Sequence, residues 1–183
     1  EITRGAERKY DAIKAKQPAL SRIDDTHYLC AYKGGGNDGW ATVLIVDLDS
    51  WAITQSMPTE FEGNKAKRPA LAQIDSTHYL CAYTNEEVTK DEGWATVLTV
   101  DNSTWNITNN TPYQYDTKGK DVALAKVDSI SFLCAYQGTD NDGFANVINV
   151  DTDTWTLSTG TPFIYGVDKA QHPYLVEVSS NMF

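Results

Sequence analysis

Short apolar stretches alternate with polar turns along the chain, and none of them shows the spacing of an amphipathic helix. Residues 94–100 read Trp-Ala-Thr-Val-Leu-Thr-Val, a run that is rich in β-branched side chains and follows Gly93. Asp, Asn, Ser and Gly separate such runs, and these residues favour tight turns. The pattern therefore predicts an all-β protein.

The same pattern recurs at a spacing of about 51 to 53 residues. Residues 14–32 and 65–83 are identical at fifteen of nineteen positions. A third copy covers 120–136, and a fourth begins at Lys169. Repeats of this kind are copies of one structural unit, and a unit is stabilised by packing against its neighbours.

Each copy divides into four strand-like segments. In the second copy they are residues 69–75, 78–84, 94–100 and 104–108, with a polar loop at 85–92. Four strands in a repeat of this length are typical of a β-propeller blade. The third segment is apolar on both faces, as a sheet between two neighbouring sheets must be. We predict β-propeller blades of four antiparallel strands, with a β-solenoid as the alternative.

The phase of the repeat predicts a single array over residues 1–183. Its parts are the last strand of a preceding blade with its linker (1–13), three blades (14–64, 65–117 and 118–168) and the start of a fourth (169–183). This division leaves strand edges without partners, and proteins normally protect such edges. We therefore expect flanking repeats, or self-association through open blade edges.

Charge and hydropathy exclude two classes of partner. The formal net charge is −10 and the sequence pI is near 4.6, without the clustered Lys and Arg that a phosphate backbone requires. No apolar run approaches the roughly 20 residues of a membrane span. We expect no nucleic-acid partner and no membrane span.

The three cysteines occupy one position of the repeat, at Cys30, Cys81 and Cys134. Packed sheets lie about 10 Å apart, whereas a disulfide requires Cα atoms within about 7 Å. The spacing therefore predicts free, buried thiols rather than disulfides or metal ligands. No nucleophile motif accompanies them. We expect no catalytic residues, no metal, no cofactor and no enzymatic activity.

An aromatic residue opens the third strand of each repeat and follows an acidic turn. The positions are Trp40, Trp94 and Phe144, with Asp38, Glu92 and Asp142 in the turns. A ring beside carboxylates suits a sugar, because the ring covers C–H faces while polar groups bond hydroxyls. These six residues are the predicted ligand-binding positions. The alternative is that the rings fill gaps between blades.

Other repeated residues have structural explanations. His27 and His78 are equivalent and are expected to bond a loop or solvent. Trp51, Trp105 and Trp155 are expected to pack between blades. The acidic turns that start at positions 47, 101 and 151 are expected to shape hairpins rather than bind Ca²⁺.

Three Asn-x-Ser/Thr triplets fall within one repeat, at Asn102, Asn106 and Asn109. In a eukaryotic secreted protein they would be glycosylation acceptors.

The unit P-A-L-x-x-I-D-x-T-H-Y-L-C-A-Y, followed by D-G-W-A-T-V-L-x-V-D and W-x-I-T, resembles repeats of predicted extracellular and surface proteins. More loosely, it is similar to the blades of β-propeller lectins. It lacks the WD-repeat pairs and the Ser-x-Asp-x-Gly-x-Thr-Trp box of sialidases. The resemblance implies an extracellular or cell-surface location and sugar sites between neighbouring blades.

These observations lead to three hypotheses about function. The first is a non-enzymatic extracellular propeller that binds glycans or proteins through loops on one face. The second is a structural repeat protein that assembles into a filament or surface layer. The third is a non-catalytic part of a larger secreted hydrolase.

Overall fold

The structure, a computed structural model, describes residues 7, 9–11, 14–87 and 90–175. Fifteen strands form three antiparallel sheets in this part of the chain, and its helical segments are two short 3₁₀ turns. The predicted all-β class and the propeller-blade fold are confirmed. The described residues contain no helix long and apolar enough to cross a membrane.

The strands fall into three groups of five. Blade 1 contains β1 (Lys16–Arg22), β2 (His27–Lys33), β3 (Gly39–Val46), β4 (Ile53–Gln55) and β5 (Thr59–Glu62). Blade 2 contains β6 (Ala66–Gln73), β7 (His78–Glu87), β8 (Lys90–Val100), β9 (Ile107–Asn109) and β10 (Tyr113–Asp116). Blade 3 contains β11 (Lys120–Lys126), β12 (Ser131–Gln137), β13 (Gly143–Asp151), β14 (Thr156–Thr159) and β15 (Phe163–Gly166).

Each blade has four strand positions, but two short segments share the outermost one. In blade 1 the order is β1-β2-β3-β4, and β5 pairs with the other half of β3. The sequence did not predict these additional segments β5, β10 and β15. They carry the chain back along the third strand and deliver it to the first strand of the next blade.

Two predicted boundaries in blade 2 are wrong. The predicted polar loop at 85–92 is instead strand over its described residues, because Asn85 pairs with Glu92, and Glu86 with Asp91, in an extension of β7 and β8. The fourth strand begins at Ile107 rather than at residue 104. Its start is delayed because the Asp101 carboxylate accepts hydrogen bonds from nearby backbone N–H groups and holds residues 101–104 in a turn.

The first strands of neighbouring blades lie against one another, β1 on β6 and β6 on β11, and so surround a common axis. The remaining strands splay outward, and two apolar clusters fill the gaps between blades. Between blades 1 and 2, Leu29 and Val43 face Tyr79, Cys81 and Leu98, all at most 1% exposed. The apolar character of both faces of the third strands is explained by this sandwich.

The repeated cysteines lie inside this packing. Cys30, Cys81 and Cys134 are buried and free, as the sequence predicted. Burial raises the pKa of the Cys30 thiol to about 12, and it also raises the pKa values of the other two. The thiols therefore act as small apolar groups.

A stacked ring pair joins neighbouring blades at the end of the sheets where the first and second strands are connected. His27 stacks on Trp105 at 3.8 Å between ring centroids, and His78 stacks on Trp155 at 3.6 Å. Packing was correctly predicted for these two tryptophans. Trp51, at the same repeat position, is instead 58% exposed.

Candidate functional site

The loop face of the molecule is defined here by the hairpin residues 34–38, 85–87, 90–92 and 138–142, together with the beginnings of the first strands. Trp40 and Phe144 are the second residues of β3 and β13, whereas Trp94 is the fifth residue of the longer β8. Since each belongs to a different blade, the structure does not bring the three rings together into one site.

The rings of Trp94 and Phe144 lie in the gaps between blades. Trp94 packs against the cluster between blades 1 and 2, and its Nε1 donates a hydrogen bond of 3.0 Å to Glu92. Phe144 stacks on Tyr136 at 5.9 Å between centroids. These two rings therefore fill gaps between blades, which was the alternative to a role in ligand binding.

The glycine before each aromatic residue also has a packing explanation. A Cβ on Gly93 would lie 2.4 Å from the ring of Tyr115, and one on Gly39 would lie 2.5 Å from the ring of Phe61. The additional outer segment thus pairs along the third strand, and its aromatic side chain lies directly on the glycine. This close approach accounts for the recurring Gly-aromatic pair.

The predicted acidic residues connect the hairpins to the linkers between blades. Asp38 Oδ1 accepts a hydrogen bond from the Lys65 backbone N–H at 3.4 Å, and Asp142 Oδ1 accepts one from that of Asp168 at 3.1 Å. Because the three carboxylates lie on separate blades, the structure does not gather them into one charged site.

Trp40 differs from its two counterparts because it lines an open cavity of about 250 Å³. The lining residues are Tyr10, Asp11, Tyr32, Gly35, Trp40, Gln55 and Pro58. Three aromatic rings therefore enclose a space beside one carboxylate and one carboxamide. We call this space the Trp40 cavity.

Two polar atoms of the cavity lining have no hydrogen-bond partner among the described residues. They are the Nε1–H donor of Trp40 and the Oε1 acceptor of Gln55, and both atoms are buried. Gln55 is held in place from its other end, because its Nε2 donates to the Tyr10 carbonyl at 3.1 Å. Two residues of one aromatic cavity thus carry a donor and an acceptor that no described residue satisfies.

The Tyr32 ring is part of a contact that recurs between blades. Tyr10 packs edge-on against it at 5.1 Å, as Phe61 does against Tyr83 at 5.4 Å. Burial raises the pKa of Tyr32, and the nearby Asp11 carboxylate raises it further. Tyr32 therefore keeps its proton at neutral pH and is a rigid wall of the cavity.

A second group of polar residues lies around the axis at the loop face. One residue near the start of each repeat has a left-handed backbone, and these residues are Gln17, Arg68, Asp121 and His172, with φ of 53°, 50°, 51° and 50°. The first three belong to β1, β6 and β11, whereas His172 belongs to no described strand. Residues 176–183 of the predicted fourth-blade start lie outside the described residues. In each of the three complete blades the strand pairing shifts register at this position, which marks a β-bulge. We call these four residues the axial cluster.

The axial cluster forms a chain of contacts from blade to blade. The Gln17 Oε1 atom accepts a hydrogen bond from the Arg68 backbone N–H at 3.3 Å. The Arg68 guanidinium pairs with the carboxylate of Asp121, and His172 Nδ1 lies 3.2 Å from the other carboxylate oxygen. The four repeats thus contact one another at this position.

The sequence contains a signal for this cluster, which is a position of the repeat that differs from copy to copy. Three copies of the first strand read K-A-K-Q-P-A-L, K-A-K-R-P-A-L and K-G-K-D-V-A-L, and the fourth begins K-A-Q-H-P. The fourth residue of this stretch differs in every copy, whereas the residues on either side are mostly identical. The Trp40 cavity had no comparable signal, because Tyr10 and Gln55 belong to the inter-blade linker and the outer strand.

Comparison with known proteins gives a distant structural likeness. No protein-family model matches the chain, and no curated protein matches it. Among solved structures it is similar to an exo-1,5-α-L-arabinanase from a bovine ruminal metagenomic library, with 12% sequence identity and a TM-score of 0.45. The match covers 87% of this chain but only 59% of that protein. A likeness at this level assigns neither a reaction nor a ligand.

The comparison corrects one prediction and leaves others open. The chain was predicted not to be an enzyme, and this is contradicted because the matched structure is that of an enzyme, an arabinanase. We therefore withdraw that prediction. The likeness does not support the finer resemblance to lectins, and the extracellular location stays a prediction. So do the glycosylation sites, although Asn102, Asn106 and Asn109 are all exposed.

Proposed function

We propose that this chain is a carbohydrate-recognition module built from β-propeller blades, with its binding site in the Trp40 cavity. The observation that carries the proposal is the pair of unpartnered buried atoms, Trp40 Nε1 and Gln55 Oε1, within one aromatic cavity. The proposal concerns binding and does not depend on whether the complete protein performs catalysis.

The cavity has the chemistry that a sugar needs. Aromatic faces cover the apolar C–H surface of a pyranose or furanose ring, and Tyr10, Tyr32 and Trp40 supply such faces. Pockets for drug-sized ligands measure roughly 300–1,000 Å³, whereas this cavity measures about 250 Å³. The site is therefore of a size for a single saccharide unit at the end of, or within, a longer glycan.

The unpartnered atoms define how a hydroxyl-bearing ligand would be oriented. A buried polar atom without a partner costs about 1–3 kcal/mol. A sugar hydroxyl is both a donor and an acceptor, so neighbouring hydroxyls can accept from Trp40 Nε1 and donate to Gln55 Oε1. A purely apolar ligand would leave both atoms unsatisfied.

Replacement of Trp40 by Phe tests this arrangement, because it removes the N–H donor and keeps an aromatic ring. The ligand is first selected by screening the folded chain against a glycan array. Loss of one hydrogen bond of about 0.5–1.5 kcal/mol predicts that W40F weakens binding of the selected glycan by about 2- to 13-fold in calorimetry.

Trp94→Phe is the matched control. Trp94 occupies the same repeat position, but its Nε1 is bonded to Glu92 within the protein. We expect W94F to leave the affinity unchanged. The proposal fails if the folded chain binds no glycan, or if W40F binds the selected glycan as tightly as W94F.

A further inference from the structure

The axial cluster has a backbone that costs energy in every repeat. Left-handed φ values are unfavourable for residues other than Gly, Asn and Asp, yet Gln17, Arg68 and His172 adopt them. Three of the four cluster residues precede proline, at Pro18, Pro69 and Pro173. Strain of this kind persists where the side chain must point in a particular direction.

The side chains at this strained position differ, although the backbone is the same. A packing role would favour one residue type in every blade, as the repeated cysteines show. Here the four copies provide an amide, a guanidinium, a carboxylate and an imidazole. Four different polar groups at the mouth of the axis form a single asymmetric site.

The Arg68 and Gln17 side chains of the cluster have N–H groups that remain available to a ligand. The Asp121 carboxylate is buried and paired with Arg68, and His172 Nδ1 lies 3.2 Å from it. Within the described residues, the remaining Arg68 N–H groups and the Gln17 side-chain N–H groups contact no acceptor. The Arg68 side chain is 38% exposed and Gln17 is exposed, so these donors are accessible.

Cations also surround the mouth of the axis. The long β7–β8 hairpin carries Glu86 and Asp91 between the neighbouring blades. Glu86 lies 3.7 Å from Lys33, and Asp91 lies 2.8 Å from Lys67 and 3.0 Å from Lys120. Together with the Arg68–Asp121 pair, four permanent cations face three carboxylates. These ion pairs thus contain one more cation than carboxylates, in a chain whose net charge is −10.

We propose that the axial cluster is a second ligand site, distinct from the Trp40 cavity, that binds a small carboxylate-bearing molecule. The planar guanidinium of Arg68 presents paired N–H groups that match the two oxygens of a carboxylate. The Gln17 amide and His172 lie on either side of the Arg68–Asp121 pair and supply further hydrogen-bonding groups. Repulsion between Asp121 and the ligand is reduced because the Asp121 carboxylate is paired with the Arg68 guanidinium.

The test uses the complete chain and three probes: sodium galacturonate, galactose and inorganic phosphate. Galacturonate carries a carboxylate that galactose lacks, and phosphate is an oxyanion of different geometry. Titration calorimetry should show binding of galacturonate to the wild-type chain and weaker or no binding of the other two at this site.

Three variants locate the binding. Arg68→Lys keeps the charge but removes the planar fork, and it should weaken galacturonate binding by about 10-fold or more. Gln17→Leu and His172→Gln change exposed side chains and should each weaken it by about 2- to 13-fold. Circular dichroism verifies folding, and if R68K is unfolded the two exposed variants decide the test.

Trp40→Phe separates this proposal from the function proposed above. W40F should leave galacturonate binding at the axial cluster unchanged, and R68K should leave glycan binding in the Trp40 cavity unchanged. The axial proposal is overturned if galacturonate does not bind the wild-type chain, or if phosphate binds equally well. It is also overturned if Q17L and H172Q both retain wild-type affinity.

Discussion

At the scale of single residues, equivalent side chains have different environments in different blades. Trp155 is covered by the ring of His78, whereas Trp51 is 58% exposed and stacks on no ring among the described residues. Similarly, Trp94 bonds to Glu92, whereas Trp40 Nε1 has no hydrogen-bond partner within the described part of the chain. Position in the repeat determines the backbone, and the neighbouring blade determines what each side chain contacts.

Substitution of the two tryptophans in turn measures the contribution of the ring stack. Trp155→Ala removes the contact with His78 and some buried area, and we expect a loss of about 2 kcal/mol in the free energy of unfolding. Trp51→Ala has the same backbone geometry, with φ of 55° at both positions, and should cost less than about 0.5 kcal/mol. Urea denaturation gives both values. Equal losses would show that the stack contributes nothing.

At the scale of elements, the blade depends on how its outermost strand is divided. The first segment, such as β9, pairs with one half of the third strand, and β10 pairs with the other half. The second segment also places an aromatic ring on the glycine that opens the third strand. The Gly93–Tyr115 contact therefore joins two strands and positions the linker to the next blade.

Gly93→Ala should disrupt the contact between Gly93 and the Tyr115 ring. The new methyl group would lie 2.4 Å from the Tyr115 ring, so the outer segment must shift. We expect a loss of about 1–3 kcal/mol, as is typical of overpacking. Gly160→Ala is the control, because a Cβ at Gly160 meets no atom within 4 Å. Thermal melts compare the two, and similar melting temperatures would contradict the account.

The elements of the sequence that repeat were the ones that could be predicted. Strand positions, buried cysteines and inter-blade tryptophans follow from hydrophobic periodicity and from the repeat itself. The extra segments such as β10 were missed because their four residues are too short for a periodic signal. The Trp40 cavity was predicted only in part, because its other walls come from distant positions such as Tyr10 and Gln55, which local patterning does not join.

At the scale of the whole molecule, the two ends of the sheets differ in their chemistry. The loop face carries the Trp40 cavity and the axial cluster with its surrounding lysines. The opposite end carries turns in which Asp side chains accept hydrogen bonds from backbone N–H groups, as Asp101 does from Ser103 and Asp24 does from Thr26. Ligand recognition is therefore expected at the loop face, while the opposite end stabilises the hairpins.

The Asp carboxyl groups of these turns make the free energy of unfolding depend on pH. Hydrogen bonds from Ser103 and Thr104 lower the pKa of Asp101 to about 2, from an ordinary value of 3.8. A carboxyl whose pKa is lower in the folded chain than in the unfolded chain stabilises the folded state at a pH above its ordinary pKa. This stabilisation is lost as the pH falls toward the pKa in the folded chain. The pKa values of Asp128 and Asp151 are lowered for the same reason.

We therefore expect the melting temperature to fall steadily between pH 4 and pH 2. Asp101→Asn removes the titrating group and keeps a hydrogen-bond acceptor, so its melting temperature should fall less over this range. Calorimetric scans at half-unit intervals provide the comparison. A D101N profile parallel to that of the wild-type chain would show that this turn does not contribute.

The most direct test of the proposed function is a crystal structure of the chain bound to the glycan selected on the array. The account predicts a sugar ring against Trp40, with hydroxyl oxygens within hydrogen-bond distance of Trp40 Nε1 and Gln55 Oε1. A glycan bound elsewhere while the Trp40 cavity stays empty, or a cavity filled by the protein's own side chains, would contradict it.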